Sequence, residues 1–332
     1  MNMLKLIAER AGVSPSTVSR ILNGKRKGAW STRSEKTALI KNIAKELNYR
    51  PSAASRMIRQ NRGRNIGVLL PSMESAEWAS SIINGLNGEL VSQKYIASVL
   101  SVASLAEAGT MPIFKERLFD AVVAVSFNKI AEDFRLFIES ISPICLWVES
   151  DTWKEMNCAR FDFRHAGRLA AEMAVSKGYS RLVFADIDKW PEAGFSVYER
   201  FDGAMEAAGA MGVELRQIRL VTLPGRLTEF EARIACAMKP GTAIICWSPD
   251  IAQWCARVAM KRRLITGTDF GLVCADDAER VKSFWPELTR VSCDRLLLGA
   301  EVAMRLERLL SGDGEGFESF KIKGEPIVGS TL

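Results

Sequence analysis

Ser16, Thr17, Ser19 and Arg20 fall within five residues of one another, interleaved and followed by Val18, Ile21 and Leu22. On a helix the three apolar residues share a face, which turns short hydroxyls and one guanidinium outward. Hydroxyls and a planar cationic fork are the groups that reach phosphate oxygens and base edges, so the chemistry is recognition of duplex DNA. The elements that must position them are readable on both sides. Leu6, Ile7 and Ala11 mark a preceding amphipathic helix, and Gly12 supplies a tight turn. Ser14 suits an N-cap, Pro15 sits at the first helical position where its missing N–H costs nothing, and Asn23-Gly24 can close the helix. Two helices joined by a short Gly-containing turn form the helix-turn-helix pattern. A third helix opens with Thr32-Arg33-Ser34-Glu35, a capping-box sequence, and carries Leu39, Ile40, Ile43, Ala44 and Leu47 at helical spacing. Tyr49-Arg50-Pro51 ends it. Residues 52–59 read as one more helix, too short to stand alone and expected to order on binding, followed by the polar linker 60–64.

Charge follows the same division. Residues 1–64 hold 15 Lys/Arg against 3 Asp/Glu, a balance of +12, whereas the whole chain is only +6 and the remaining 268 residues are −6. Positive charge is concentrated on the part that would meet phosphates.

At 332 residues and 48% hydrophobic content the chain is too long for one compact domain. The N-terminus opens directly into the DNA-binding pattern and no apolar run is long enough to span a bilayer, so a cytoplasmic protein is expected. Seven cysteines at 145, 158, 236, 246, 255, 274 and 293 form no CxxC pair and read as buried thiols. The single histidine, His165, rules out a His-rich metal site and leaves any Ser-His-Asp arrangement dependent on one residue at a helix start. No Walker-type loop or GxGxxG follows a strand. No enzyme, cofactor or metal is expected.

Beyond residue 64, strand-like runs at 65–70, 96–102, 121–126 and 144–148 alternate with helical patterns at 82–92 and 130–140. The pattern restarts at 158–161, with strands near 182–185, 243–247 and 270–275 and helices near 166–177, 200–210, 227–237 and 251–262 between them. Alternation of this kind predicts two parallel-sheet lobes with helices on both faces and a ligand cleft beyond the carboxyl ends of the strands.

The head closely resembles the lactose/galactose repressor (LacI/GalR) family in Ile7-Ala8-Glu9-Arg10-Ala11-Gly12-Val13-Ser14, Thr17-Val18-Ser19-Arg20-Ile21-Leu22-Asn23-Gly24, Leu47-Asn48-Tyr49-Arg50-Pro51-Ser52-Ala53-Ala54 and Ile66-Gly67-Val68. The body resembles it more weakly, in Arg200-Phe201-Asp202-Gly203, Asp276-Asp277, Pro286-Glu287-Leu288-Thr289-Arg290-Val291 and Gly329-Ser330-Thr331. The resemblance implies a helix-turn-helix domain over 1–50, a hinge helix and linker over 51–64, and a two-lobed α/β domain over 65–332, like the type I periplasmic binding proteins. It implies DNA contacts from Pro15, Ser16, Thr17, Ser19, Arg20, Asn23 and Ala54, with Ile58 wedged into the minor groove in place of the family's usual leucine. It also implies that Arg200 and Asp276 hydrogen-bond a polar effector, a sugar or related metabolite, from opposite sides of the cleft. Trp78 would stack on that ligand, and Ser196 would add a hydroxyl. The expected whole is a homodimeric, or tetrameric, repressor on a near-palindromic operator, switched by the effector.

Several residues leave a second reading open. Arg200 also suits a surface ion pair, Asp276 a strand-end cap, and Trp78 simple packing between lobes. The chain departs from the family at Ser248-Pro249, Ala275, Gly178-Tyr179 and Val328, and the loop 25–30 is longer than usual. A ligand-independent DNA-binding regulator, whose body serves only dimerisation, therefore stands beside the effector-switched one.

Overall fold

Gly12 adopts φ +61°, a left-handed conformation that costs glycine nothing, and it is the pivot of the first unit. Helix Met3–Arg10 stops there: the Val13 N–H reaches back to the Ala8 carbonyl and the Gly12 N–H to Glu9, so the last turn is closed by its own backbone. Helix Pro15–Leu22 starts three residues after Gly12, with the Thr17 N–H donating to Ser14 Oγ at 3.2 Å. A cap of this kind is worth about 1 kcal/mol. Helix Thr32–Glu46 packs on both, and Ile7, Val18 and Ile40 are wholly buried where the three meet. Thr32 already lies inside the helix, one residue beyond the position where a capping threonine would stand.

The computed structural model describes residues 3–22, 32–49, 64–72, 75–116, 118–127, 132–150, 157–187, 194–220, 227–312 and 318–332. The chain divides into two units, Met1–Arg64 and Asn65–Leu332. The expected helix at 52–59, the loop 25–30 and residues Asn23, Ala54 and Ile58 lie outside the described residues.

The second unit is built on two six-stranded sheets. In chain order the strands are β1 Asn65–Leu70, β2 Ile96–Ser101, β3 Ala121–Val125, β4 Cys145–Val148, β5 Cys158–Phe161, β6 Arg181–Ile187, β7 Glu214–Leu220, β8 Thr242–Cys246, β9 Gly271–Cys274, β10 Thr289–Val291, β11 Phe320–Ile322 and β12 Pro326–Ile327. The first sheet runs β11-β5-β4-β3-β1-β2, all parallel. The second runs β12-β10-β9-β8-β6-β7, parallel except for β12. β3, β8 and β9 are buried throughout because helices cover both faces, which is why they read as unbroken apolar runs.

One expectation is corrected. The run 158–161 does not open the second lobe: it is β5, paired with β4 and β11 of the first sheet. The chain enters the second lobe only afterwards, through helix Phe163–Ser176, returns through helix Arg295–Ser311 and β11, and crosses again to β12. Each lobe thus borrows a helix that follows a strand of the other.

Two pairs of glycines hold these borrowed helices. A Cβ on Gly203 would stand 1.9 Å from the Arg164 carbonyl oxygen and one on Gly167 1.8 Å from that of Arg200, so helices Phe163–Ser176 and Gly194–Ala210 touch backbone to backbone. Gly85 and Gly299 do the same for helices Ser75–Ser92 and Arg295–Ser311, at 1.9 and 2.0 Å from the Leu296 and Ile82 carbonyl oxygens. Among the described residues no helix is long and apolar enough to cross a membrane.

Candidate functional site

On helix Pro15–Leu22, Val18 and Ile21 are buried, while Pro15, Ser16 and Arg20 are exposed and Thr17 and Ser19 are half-buried. The helix therefore presents the expected polar row outward. Ser14 Oγ stands 2.9 Å from both Ser16 Oγ and Thr17 Oγ1, which gathers three hydroxyls at the end of the helix that follows the turn. Backbone N–H groups of a first turn, hydroxyls and a guanidinium on one face match the donors that phosphates and base edges require.

In the second unit the carboxyl ends of the parallel strands carry the polar groups. Glu149 follows β4 with φ +56° and Ser126 follows β3 with φ +65°, both left-handed for non-glycine residues, a strain seen where a fold holds groups for a task. Asp162 follows β5 and caps helix Phe163–Ser176 by accepting from the His165 N–H at 3.0 Å, so His165 sits in a capped first turn. Asp276 and Asp277 follow β9.

Arg200 and Asp276 are brought together, but not across the cleft. Both belong to the second lobe, and Arg200 Nη2 lies 3.1 Å from Asp276 Oδ2. The guanidinium also donates to the Ala275 carbonyl through Nε at 2.9 Å and to the Ser196 carbonyl through Nη1 at 3.2 Å, and stands 4.2 Å from the Phe163 ring centroid. Arg200 is 1% exposed, so it is a core ion pair and not a surface one. The glycine seam explains the Arg-x-x-Gly spacing: Gly203, one turn on, lets the helix carrying Arg200 approach closely enough to bury it. Ser196 is half-buried on the same helix, and Trp78 lies in helix Ser75–Ser92, its side chain outside the described residues.

Residues that sequence reasoning missed complete the cluster. Arg295 donates through Nη2 to both oxygens of Asp276, at 2.9 and 3.0 Å, and through Nη1 to the Asp277 carbonyl oxygen. Glu149 is buried and accepts from the Phe161 N–H at 2.9 Å. Burial raises its carboxyl to about 7, against the Phe161 hydrogen bond and the nearby Arg295 and Arg200, which pull it down. Asp276 shows the opposite balance: burial would raise it, but Arg295 and Arg200 hold it below its ordinary value. Asp277 is held by Arg290 Nε at 2.9 Å, yet burial keeps it above the usual carboxylate value. An acid immediately after an apolar parallel strand was the available signal for Glu149, the same one that marks Asp276. For Arg295 the only hint was its place just beyond Pro286-Glu287-Leu288-Thr289-Arg290-Val291.

The end of the chain matches its motif for a structural reason. Thr331 Oγ1 accepts from the Thr289 N–H at 2.9 Å and donates to the Leu272 carbonyl at 2.7 Å, fastening residues 329–332 along β9 and β10. All seven cysteines are free; Cys236 is exposed and Cys145 half-buried, so the expectation of buried thiols holds for the other five. Burial raises the thiols of Cys246, Cys274 and Cys293. Among the described residues no three His, Cys, Asp or Glu side chains converge as metal ligands would.

Comparison with known proteins agrees with this geometry. Residues 3–52 match the family model described as bacterial regulatory proteins, lacI family. The chain is 23% identical to the HTH-type transcriptional repressor PurR of Mannheimia succiniciproducens, over 99% of its own length and 98% of the relative's. Its fold is similar to that of a lac repressor dimer bound to operator and the anti-inducer ONPF, with a TM-score of 0.78, 19% identity and coverage of 98% and 97% of the two chains. It is also similar to a transcriptional regulator CelR–cellobiose complex, with a TM-score of 0.66, 18% identity and 99% of each chain covered.

Proposed function

We propose that the chain, whose residues 3–52 match the lacI family model and which is similar to PurR along nearly its whole length, is a LacI/GalR-type transcription regulator that binds DNA as a cytoplasmic, homodimeric repressor of a near-palindromic operator. The observation that carries the proposal is the helix Pro15–Leu22, whose Ser16 and Arg20 face outward from a head of charge +12. Pro15, Thr17, Ser19, Asn23 and Ala54 add contacts in this reading, and Ile58 wedges the central base step. One such head offers too few contacts for an operator, and two heads related by a two-fold axis match two half-sites.

The cleft is the effector site in the same proposal. A small molecule, as cellobiose is in the CelR complex and the anti-inducer ONPF in that of the lac repressor, would meet Ser196, Arg200, Asp276 and Trp78. Binding to one lobe arrangement more tightly than to another would shift operator affinity, and operator binding would shift effector affinity by the same factor. A second reading, a regulator that needs no ligand, is favoured by one observation: Arg200 and Asp276 already satisfy each other.

Selection of bound duplexes from a randomised pool tests the first part. Two related half-sites should be enriched, and Arg20→Ala should lose preference at one position in each. Enrichment of no sequence would refute it. Thermal-shift screening against sugars, sugar acids and nucleobases tests the second, because a ligand of the native state raises the melting temperature.

A further inference from the structure

Arg295 belongs to one lobe and ends in the other. It opens helix Arg295–Ser311, which the Gly85–Gly299 seam fixes to the first lobe. Its Nη2 nevertheless donates to both oxygens of Asp276 of the second lobe, its Nη1 donates to the Asp277 carbonyl oxygen, and the guanidinium lies 5.9 Å from the Phe161 ring centroid, buried beside Glu149. A bidentate carboxylate, a backbone acceptor and an aromatic face are what a site offers a small cationic ligand. Here that ligand is covalently attached to the opposite wall. A second bond of the same sense lies nearby: Arg160 of β5, in the first lobe, reaches Glu199 on helix Gly194–Ala210 at 2.8 Å and stands 5.2 Å from the Phe195 ring centroid.

We propose that Arg295 is a built-in ligand of the interlobe cleft, a tethered guanidinium that clasps the two lobes in one arrangement with no small molecule bound, aided by the Arg160–Glu199 pair. The guanidinium makes charge-assisted bonds that a neutral hydroxyl cannot replace without leaving Asp276 short of a partner. Where the cleft takes an effector, a point that rests on the proposed function, that molecule must displace Arg295 from Asp276.

Chemical rescue tests the clasp. Arg295→Ala in the full chain removes the equivalent of ethylguanidinium, and that cation is the probe. The variant should scatter X-rays with a larger radius of gyration than wild type and melt lower. Millimolar ethylguanidinium should restore both saturably, while sodium chloride of equal ionic strength does not. Wild type, its site already filled, should bind the probe at least about tenfold more weakly. A variant as compact and stable as wild type, or one indifferent to the probe, overturns the proposal. If Arg295→Ala does not fold, Arg295→Lys keeps the charge but has no second nitrogen to reach the Asp277 carbonyl while the first holds Asp276, and a radius and melting temperature equal to wild type's would overturn it equally. Rescue by ethylguanidinium, with no metabolite shifting either protein's melting temperature, upholds the clasp and removes the effector.

Discussion

Replacing Glu149 by Gln should change how stability depends on pH. In the folded protein burial holds this carboxyl at about 7, whereas in the unfolded chain it titrates near 4.5. Between those two values the folded state keeps a proton that the unfolded state has released, so stability falls as pH rises through the window and levels off above it. At 1.36 kcal/mol for each tenfold change in proton affinity, the loss is about 2.5 kcal/mol between pH 5 and pH 8. Asp276 has the opposite sign and a different window: its depressed carboxyl contributes stability that is lost only as pH falls below its ordinary 3.8. Glutamine keeps an oxygen for the Phe161 N–H and has no proton to lose. Denaturant unfolding of both proteins at constant ionic strength and four pH values from 5 to 8 gives the difference directly. The wild-type curve should descend relative to the variant's by about 2.5 kcal/mol. Parallel curves, or a wild type that gains stability over this range relative to the variant, would refute the buried, protonated carboxyl.

Other consequences are more local. Arg20→Ala should cost about 1–3 kcal/mol in operator affinity and relax one base position; an equal loss on every duplex, measured by fluorescence anisotropy, would make Arg20 a phosphate contact. Gly203→Ala places a methyl 1.9 Å from a carbonyl oxygen, so the helix pair must part; a loss of about 1–3 kcal/mol is expected, and an unchanged melting temperature would count against the seam. Thr331→Val leaves the Thr289 N–H and the Leu272 carbonyl without their buried partner, at a cost of about 1–3 kcal/mol, read as a lower unfolding midpoint.

The head was legible because its determinants are local. Gly12, Ser14 and Pro15 act within a turn of their own positions, and the apolar spacing of Ile7, Val18 and Ile40 needs no distant partner to be recognised. β3, β8 and β9 were legible as continuous apolar runs, since parallel strands covered on both faces leave nothing polar to interrupt them. β7 was not, because an edge strand with Glu214, Arg216 and Arg219 looks solvated. The lobe assignment of Cys158–Phe161 failed for a reason no window of sequence contains: order along the chain does not reveal when it changes sheets. The same blindness hid Arg295. Arg200 and Asp276 could be named in advance, but that they meet each other, with Arg295 on the far side of the carboxylate, depends on the crossovers alone.

Those crossovers also bear on how the protein is made. β5 is complete at Phe161, but its outer neighbour β11 begins at Phe320, roughly 160 residues later. At about 5–20 residues per second the ribosome needs roughly ten to thirty seconds to supply it. Throughout that interval β5 is an apolar, unpaired edge, the kind of surface on which nascent chains associate wrongly. The helix that covers the first sheet, Arg295–Ser311, is late by nearly as much. The head has every residue of its core before any of this begins, so a nascent chain can hold a finished DNA-binding domain while both lobes behind it await their last pieces. Synthesis paused within the second lobe therefore yields a basic, folded head on an unfinished body, and chaperone demand should fall on the body alone.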